Sequence, residues 1–267
     1  SLNADKAMNP ASVMKLVTTY AGLEILGPAF TWSTEVYAGG PLEMDGQTLK
    51  GDLILKGYGD PRLSLENFWL LLRRLREMGL KQITGDLVLD TRYFASANGD
   101  PGAFDNRPYR AYNAGPEALI VNARVVNFRI APDPAENKVR VSADPVPAAL
   151  QFINQLTLTS APCNDWRGAL DWDAKAAAEQ VTVAFRGTFS AECGEKVLPL
   201  VLFENRRYVF GLFRELWSGL GGVIQGSVRQ GPTPSAARLL YRHPSPPLAD
   251  VVRDINKFSN NVMARQL

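Results

Sequence analysis

An α/β domain interrupted by a large, mostly β inserted region is the architecture that three features of the sequence predict. Strong helical periodicity stands at both ends of the chain, in "NPASVMKLVTTYAGLEILG" and in "PLADVVRDINKF". Alternating strand patterns fill the stretch between them. From about Asp144 to Pro199 the composition shifts to strand candidates separated by loops rich in Pro, Asp and Ala, which reads as a separate β-rich subdomain. The expected division is residues 1–64 and 199–267 as two parts of one domain. Residues 65–198 are the insertion, with a second subdomain at about 144–198.

The elements follow in order. Asn9 is a suitable helix N-cap and Pro10 suits the first helical position. Val13, Leu16, Val17, Tyr20, Leu23 and Leu26 then repeat at helical spacing, which predicts a buried stripe, and Gly27-Pro28 ends the helix. "TWSTEVYAGG" and "GQTLKGDLILKG" alternate as a β-hairpin, and "GYGDPRLS" reads as a loop. "ENFWLLLRRLREMG" is an amphipathic helix burying Phe68, Leu71, Leu72, Leu75 and Met78. "QITGDLVLD", "EALIVN", "RVVNFRIAP", "NKVRVSA", "EQVTVAFRGTF" and "VIQGSVRQG" read as strands. Val209, Leu212, Phe213, Leu216 and Leu220 mark one later helix; Leu248, Val251, Val252, Ile255 and Phe258 mark another.

Composition narrows the function classes. With 46% hydrophobic and 21% charged residues and a formal net charge of +2, no strong field favours nucleic acid or an acidic membrane. No apolar run is long enough to span a bilayer. Both termini are abrupt, and further sequence is expected beyond each. Cys163 and Cys193 are the only cysteines, suited to one disulfide in an oxidising compartment or to two buried thiols. With His243 the only histidine, neither a zinc site nor any other metal or cofactor site is expected.

Ser12 and Lys15 are the first candidates for chemistry. Three residues apart on a helix, they share a face. A serine hydroxyl needs a base to become a nucleophile at neutral pH. A lysine amine can serve once an apolar setting disfavours its charged form. A nucleophile in the first turn would also have the helix N-terminus to stabilise an oxyanion. Against this, S-x-x-K arises roughly once by chance in a chain of this length, given usual residue frequencies. On spacing alone a snorkelling surface lysine is the commoner outcome. A triad would have to use His243 in "YRHPSPPL", and no G-x-S-x-G is present. Ser259 and Asn261, in "KFSNNVMA", form a polar Ser-x-Asn at a junction of two helices, where helix capping is the ordinary explanation. A second Ser-x-Asn, Ser96-Ala97-Asn98, shows how unspecific the tripeptide is alone.

Taken in order, "NPASVMKLVTTYAGLEILG", "GDLILKGYGDPRLS" and "SPPLADVVRDINKFSNNVMARQL" resemble the D-alanyl-D-alanine carboxypeptidase/endopeptidase family, the class C low-molecular-mass penicillin-binding proteins. "YNAGPEALIVN" and "GGVIQGSVRQG" also look like family stretches. The resemblance implies a penicillin-recognising serine enzyme with a transpeptidase-like catalytic domain and inserted domains. It implies Ser12 as acylated nucleophile, Lys15 as its base, Ser259 as proton relay and Asn261 as the donor to the substrate amide. It also implies a periplasmic location, peptidoglycan peptides as substrate, β-lactams as covalent inhibitors and no cofactor. Oligomeric state stays open, a homo-oligomer included. One departure stands out: K-T-G, the family's third motif, occurs nowhere in the sequence. A non-catalytic binding homologue is the alternative this absence raises, and a β-lactamase shares the S-x-x-K logic.

Overall fold

The computed structural model describes residues 5–43, 46–95, 99–103, 105–177 and 180–267. Ser96-Ala97-Asn98 lies outside the described residues. Asn9 Oδ1 accepts the Ala11 N–H at 2.9 Å, and a 3₁₀ turn over Ala11–Val13 runs into α1, Met14–Leu26. Gly27, at φ +80°, terminates it. The apolar stripe expected to be buried is largely in solvent: Val13, Leu16, Val17 and Tyr20 are each more than half exposed. The buried residues of α1 are Thr19 and Gly22. Small side chains face inward because neighbouring elements come in close. A Cβ on Gly22 would stand 3.0 Å from the Leu267 side chain.

The main sheet begins with β1, Ser33–Ala38. After β2, Thr48–Leu49, the chain enters β3, Leu53–Gly57, which pairs antiparallel with β1, so the expected hairpin forms. The Tyr58–Ser64 loop follows. Ser64 caps α2, Leu65–Glu77, by accepting the Asn67 N–H at 3.2 Å. Phe68, Leu71, Leu72 and Leu75 are buried as the periodicity predicts. Met78 is 46% exposed, because it sits at the C-cap where the chain turns away through Gly79 at φ +100°. β4, Gln82–Ile83, and β5, Leu87–Asp90, come next.

"EALIVN" forms no strand although Ala118, Leu119, Ile120 and Val121 are buried. It crosses close over the end of β3, where Gly59 N–H donates to Ala118 O at 2.7 Å. A Cβ on Gly57 would lie 2.1 Å from that same oxygen. The Asn205 amide takes up Leu119 O at 2.8 Å. Isolated hydrogen bonds thus replace a ladder.

β6, Val126–Asp133, and β7, Lys138–Asp144, pair antiparallel. β8, Leu150–Thr159, leads through α3, Trp166–Ala169, to β9, Leu170–Ala176, and β10, Val181–Ser190. β11, Lys196–Leu200, returns to the other edge of β6. Two three-stranded sheets result, β8-β10-β9 and β11-β6-β7. Phe128 of β6 packs edge-on against Phe152 and Phe185 of the other sheet. Cys163 and Cys193 are joined in a disulfide. A closed loop of this length contributes about 3–4 kcal/mol in the chain-entropy account.

α4, Asn205–Gly219, buries Tyr208, Val209, Leu212, Phe213 and Trp217. "VIQGSVRQG" splits into β12, Val223–Ile224, and β13, Val228–Gln230. The break falls at Gly226, whose Cβ would meet Gly85 O at 2.3 Å. β14, Arg238–Pro244, was not evident from the sequence. It takes in the first residues of the Pro-rich "YRHPSPPL", and pairs antiparallel with β1. The five-stranded sheet runs β13-β5-β3-β1-β14, and β12-β4-β2 form a smaller one. Across β1 and β14, the buried Glu35 accepts from Tyr37, Tyr58 and Arg242. Burial pushes its carboxyl up, but these donors outweigh burial and hold it below its ordinary value.

α5, Leu248–Phe258, buries Leu248, Val251 and Ile255. Phe258, expected on that face, is 68% exposed at the helix end. α6, Asn261–Gln266, follows at once. Helices α1, α5 and α6 enclose a small core of their own with Trp32, Leu248, Val251, Ile255 and Met263.

Asp60, in the Tyr58–Ser64 loop, is 3% exposed. Its Oδ1 accepts the Arg62 N–H at 2.8 Å, and among the described residues its Oδ2 has no partner. Burial pushes the carboxyl up to about 6, with the hydrogen bond and charge of Arg62 offsetting only part. A raised folded-state pKa contributes stability below the unfolded value of about 3.9, and loses it as pH rises through the folded value. Asp60→Asn is therefore expected to gain on the parent between pH 4 and pH 7, by about 2 kcal/mol. Urea unfolding at the two pH values measures it, and an equal stability gap at both would refute it.

Candidate active site

Ser12 lies in the 3₁₀ turn ahead of α1, one step from the first α-helical turn where the sequence placed it. The residue before it, Ala11, is left-handed at φ +45°. Lys15, on the first turn of α1, points its amine back along that face: Nζ donates to Ser12 Oγ at 3.0 Å. The same Nζ donates to Ser259 Oγ at 3.4 Å, across 244 residues of chain. Ser259 is the C-cap of α5 and is also left-handed, at φ +51° and ψ +41°. A non-glycine residue in this region costs roughly 1–2 kcal/mol, and such conformations cluster at functional sites. Two serines beside or within left-handed turns, and one lysine between them, form the centre of the site. Ser12 and Ser259 are exposed and Lys15 is partly exposed.

Asn260 and Asn261 differ in what their side chains do. Asn260 caps α6 by accepting the Met263 N–H at 3.1 Å. That leaves Asn261, the first residue of α6, without a side-chain hydrogen bond among the described residues. The ordinary capping role considered for Ser-x-Asn therefore belongs to the middle residue.

Contacts that the sequence did not reveal hold the two serine-bearing segments in register. The Thr19 hydroxyl, one turn after Lys15, donates to Lys15 O at 2.8 Å and accepts from Asn256 Nδ2 of α5 at 3.2 Å. Arg62 of the Tyr58–Ser64 loop pairs with Asp254 of α5 at 3.2 Å. Gly22 lets α6 approach α1 through Leu267. Each partner pair is remote in sequence, so no local pattern signals it.

His243 takes no part. It lies in β14 opposite Thr34, 8% exposed, with Nδ1 unpartnered, and burial holds its pKa below the ordinary value. Among the described residues nothing bonds it to Ser12, and no group of three His, Cys, Asp or Glu is arranged to hold a metal.

The arrangement is suited to base-assisted attack by a serine. The Lys15 amine stands within hydrogen-bond reach of both hydroxyls, 3.0 Å from Ser12 Oγ and 3.4 Å from Ser259 Oγ, a geometry through which a proton can pass between them.

Known proteins resemble the chain over its whole length. A D-alanyl-D-alanine carboxypeptidase of Actinomadura sp. (strain R39) is 27% identical over 277 aligned residues, covering 100% of this chain and 50% of that protein. The D-alanyl-D-alanine carboxypeptidase DacB of Haemophilus influenzae is 26% identical, with 99% and 54% covered. The crystal structure of penicillin binding protein 4 from Haemophilus influenzae superposes with a TM-score of 0.73 at 26% identity, covering 97% of this chain and 56% of that one. The chain thus spans about half the length of the curated relatives it matches. The family profile of the D-Ala-D-Ala carboxypeptidases matches residues 1–267 throughout, so the chain belongs to the D-Ala-D-Ala carboxypeptidase 3 (S13) family.

Proposed function

We propose that this chain carries the nucleophile of a serine DD-peptidase of peptidoglycan metabolism, acting on D-Ala-D-Ala termini or on peptide cross-links. The observation that carries the reading is the single amine of Lys15 between the hydroxyls of Ser12 and Ser259. Ser12 attacks the carbonyl of the penultimate D-alanine as Lys15 takes its proton. Ser259 relays that proton to the leaving amine, and the acyl-enzyme is then hydrolysed. Asn261, with its side-chain amide free, donates to the substrate amide. β-Lactams present a similar carbonyl and acylate Ser12. The names of the relatives, D-alanyl-D-alanine carboxypeptidase and penicillin binding protein, support this substrate class.

The location is periplasmic in this reading. The Cys163–Cys193 disulfide supports an oxidising compartment. No helix among the described residues is long and apolar enough to cross a membrane. The domain division belongs to the same proposal. It divides the chain into residues 1–64 and 199–267 as one domain and 65–198 as the insertion, with the sheet β13-β5-β3-β1-β14 drawing strands from all three stretches. The catalytic part is then centred on α1, α5 and α6.

Incubation with benzylpenicillin, read by intact mass, tests the reading. The expected result is a gain of one penicillin per chain. A chain that takes up none, and releases no D-alanine from a D-Ala-D-Ala peptide, would instead favour a non-catalytic peptidoglycan- or partner-binding homologue.

Thr19 and Asn256 are positioning residues in this scheme. Thr19→Val removes both hydrogen bonds with little change of volume. It is expected to slow penicillin acylation by about tenfold or more, since small misplacements of reacting groups are costly. The rate should fall at saturating as well as low penicillin while the thermal midpoint shifts only slightly. An unchanged acylation rate would remove the role.

A further inference from the structure

A cavity lies on the β-rich region, with Ser12 not among its lining residues. It has a volume of about 350 Å³, in the range of small-molecule sites. Arg107 and Arg110 come from the loop before residues 111–113, and Arg167 from α3. Tyr109 and Trp172 form one wall, edge to face at 5.8 Å, and Leu200 lies in the apolar floor. Among the described residues no carboxylate lines the cavity. Among the described residues none of the three guanidinium groups is in an ion pair; Arg167 only stacks over Trp166 at 4.5 Å. Arg107 has Asp105 nearby and, after the Tyr112 hydroxyl, helps hold its carboxyl below the ordinary value, whereas Arg110 and Arg167 have no carboxylate partner among the described residues, so an anion in the concavity would gain charge-assisted donors.

The walls are held in place. Val201 N–H donates to Tyr109 O at 2.9 Å, and Arg110 bridges Leu200 through the backbone. Asp105, the acid of the same loop, is occupied by the Tyr112 hydroxyl, the Asn113 amide and the Arg107 N–H. The loop is also tied to the catalytic part. Arg265 of α6 donates to Tyr112 O at 3.4 Å and to Ala114 O at 3.0 Å. Asn261 and the cavity wall are thus on connected, hydrogen-bonded elements.

We propose that this cavity is a remote subsite for a carboxylate-bearing stretch of the peptidoglycan stem, its oxyanion on the arginines and its apolar or sugar body on Tyr109 and Trp172. The source of the carboxylate rests on the DD-peptidase reading; the anion chemistry does not. Binding there adds affinity from a part of the substrate remote from the cleaved bond. The same chemistry suits a phosphorylated sugar, so the test separates the two.

Calorimetric titration uses N-acetylmuramyl-L-alanyl-D-glutamate, its D-isoglutamine analogue and glucose 6-phosphate, none of which contains D-Ala-D-Ala. The dicarboxylate is expected to bind, the amidated analogue several-fold more weakly. The double variant Arg110→Gln, Arg167→Gln is expected to lose about tenfold or more in affinity, and Arg107→Gln to lose less. Thermal unfolding confirms that each variant folds. No binding of any probe, or equal affinity in the double variant, overturns the site. Binding of glucose 6-phosphate but not of the muropeptide overturns its assignment to peptidoglycan. Penicillin acylation is read separately and is expected to be unchanged in the double variant. A parent chain that binds the muropeptide but takes up no penicillin would remove the DD-peptidase reading and leave the anion site standing.

Discussion

Ser12→Ala is expected to take up no benzylpenicillin at any time or concentration, where the parent gains one penicillin per chain. The hydroxyl is the atom that bonds to the acyl carbon, so its loss removes the intermediate, not merely a fraction of the rate. Ser12 is exposed, and among the described residues its side chain bonds to Lys15 alone. The substitution should therefore change stability by no more than about 0.5 kcal/mol. Matching unfolding curves with no mass gain would isolate the chemistry from the fold. Undiminished labelling in Ser12→Ala would transfer the nucleophile elsewhere, and Ser259, within reach of the same lysine at 3.4 Å, would be the next to substitute.

Lys15→Ala should slow acylation by about 10²–10⁴-fold, the usual contribution of a positioned general base. Lys15→Arg sharpens the test. Arginine keeps the positive charge and a long side chain, yet it does not deprotonate and cannot accept the serine proton. If Lys15 acts as base, Arg is expected to fail about as badly as Ala. If the charge alone mattered, Arg would restore most of the rate, and the base assignment would fall. Stopped-flow acylation with a chromogenic β-lactam distinguishes the two, with the deacylation rate read from the same traces.

Much of the molecule is legible from short-range pattern. The faces of α2, α4 and α5 follow from residues three and four apart, because a helix brings those residues together whatever else the chain does. β1, β3, β6, β7 and β10 follow from alternation. Helix ends are less legible: Met78 and Phe258 continue the apolar repeat but lie where the chain leaves the core. α1 departs from its pattern within this chain, which spans about half the length of its relatives. Its apolar repeat predicts a buried stripe, yet it packs on α5 and α6 through Thr19 and Gly22, since close helix approach requires small side chains. β14 was missed because its Pro and His residues obscure the alternation, and pairing with β1 supplies what the local pattern does not.

The sequence by itself determined the Ser12–Lys15 pair, since a three-residue spacing on helical backbone fixes that proximity, and the order of motifs that marks the family. Only the tertiary structure decided that Lys15 also reaches Ser259, that Asn260 and not Asn261 is spent on capping, and that His243 is buried in a sheet. Local pattern reports on residues a few positions apart. Hydrogen bonds act over about 3 Å of space, whatever the length of chain between the partners, and the second half of this site is built from partners more than two hundred residues apart.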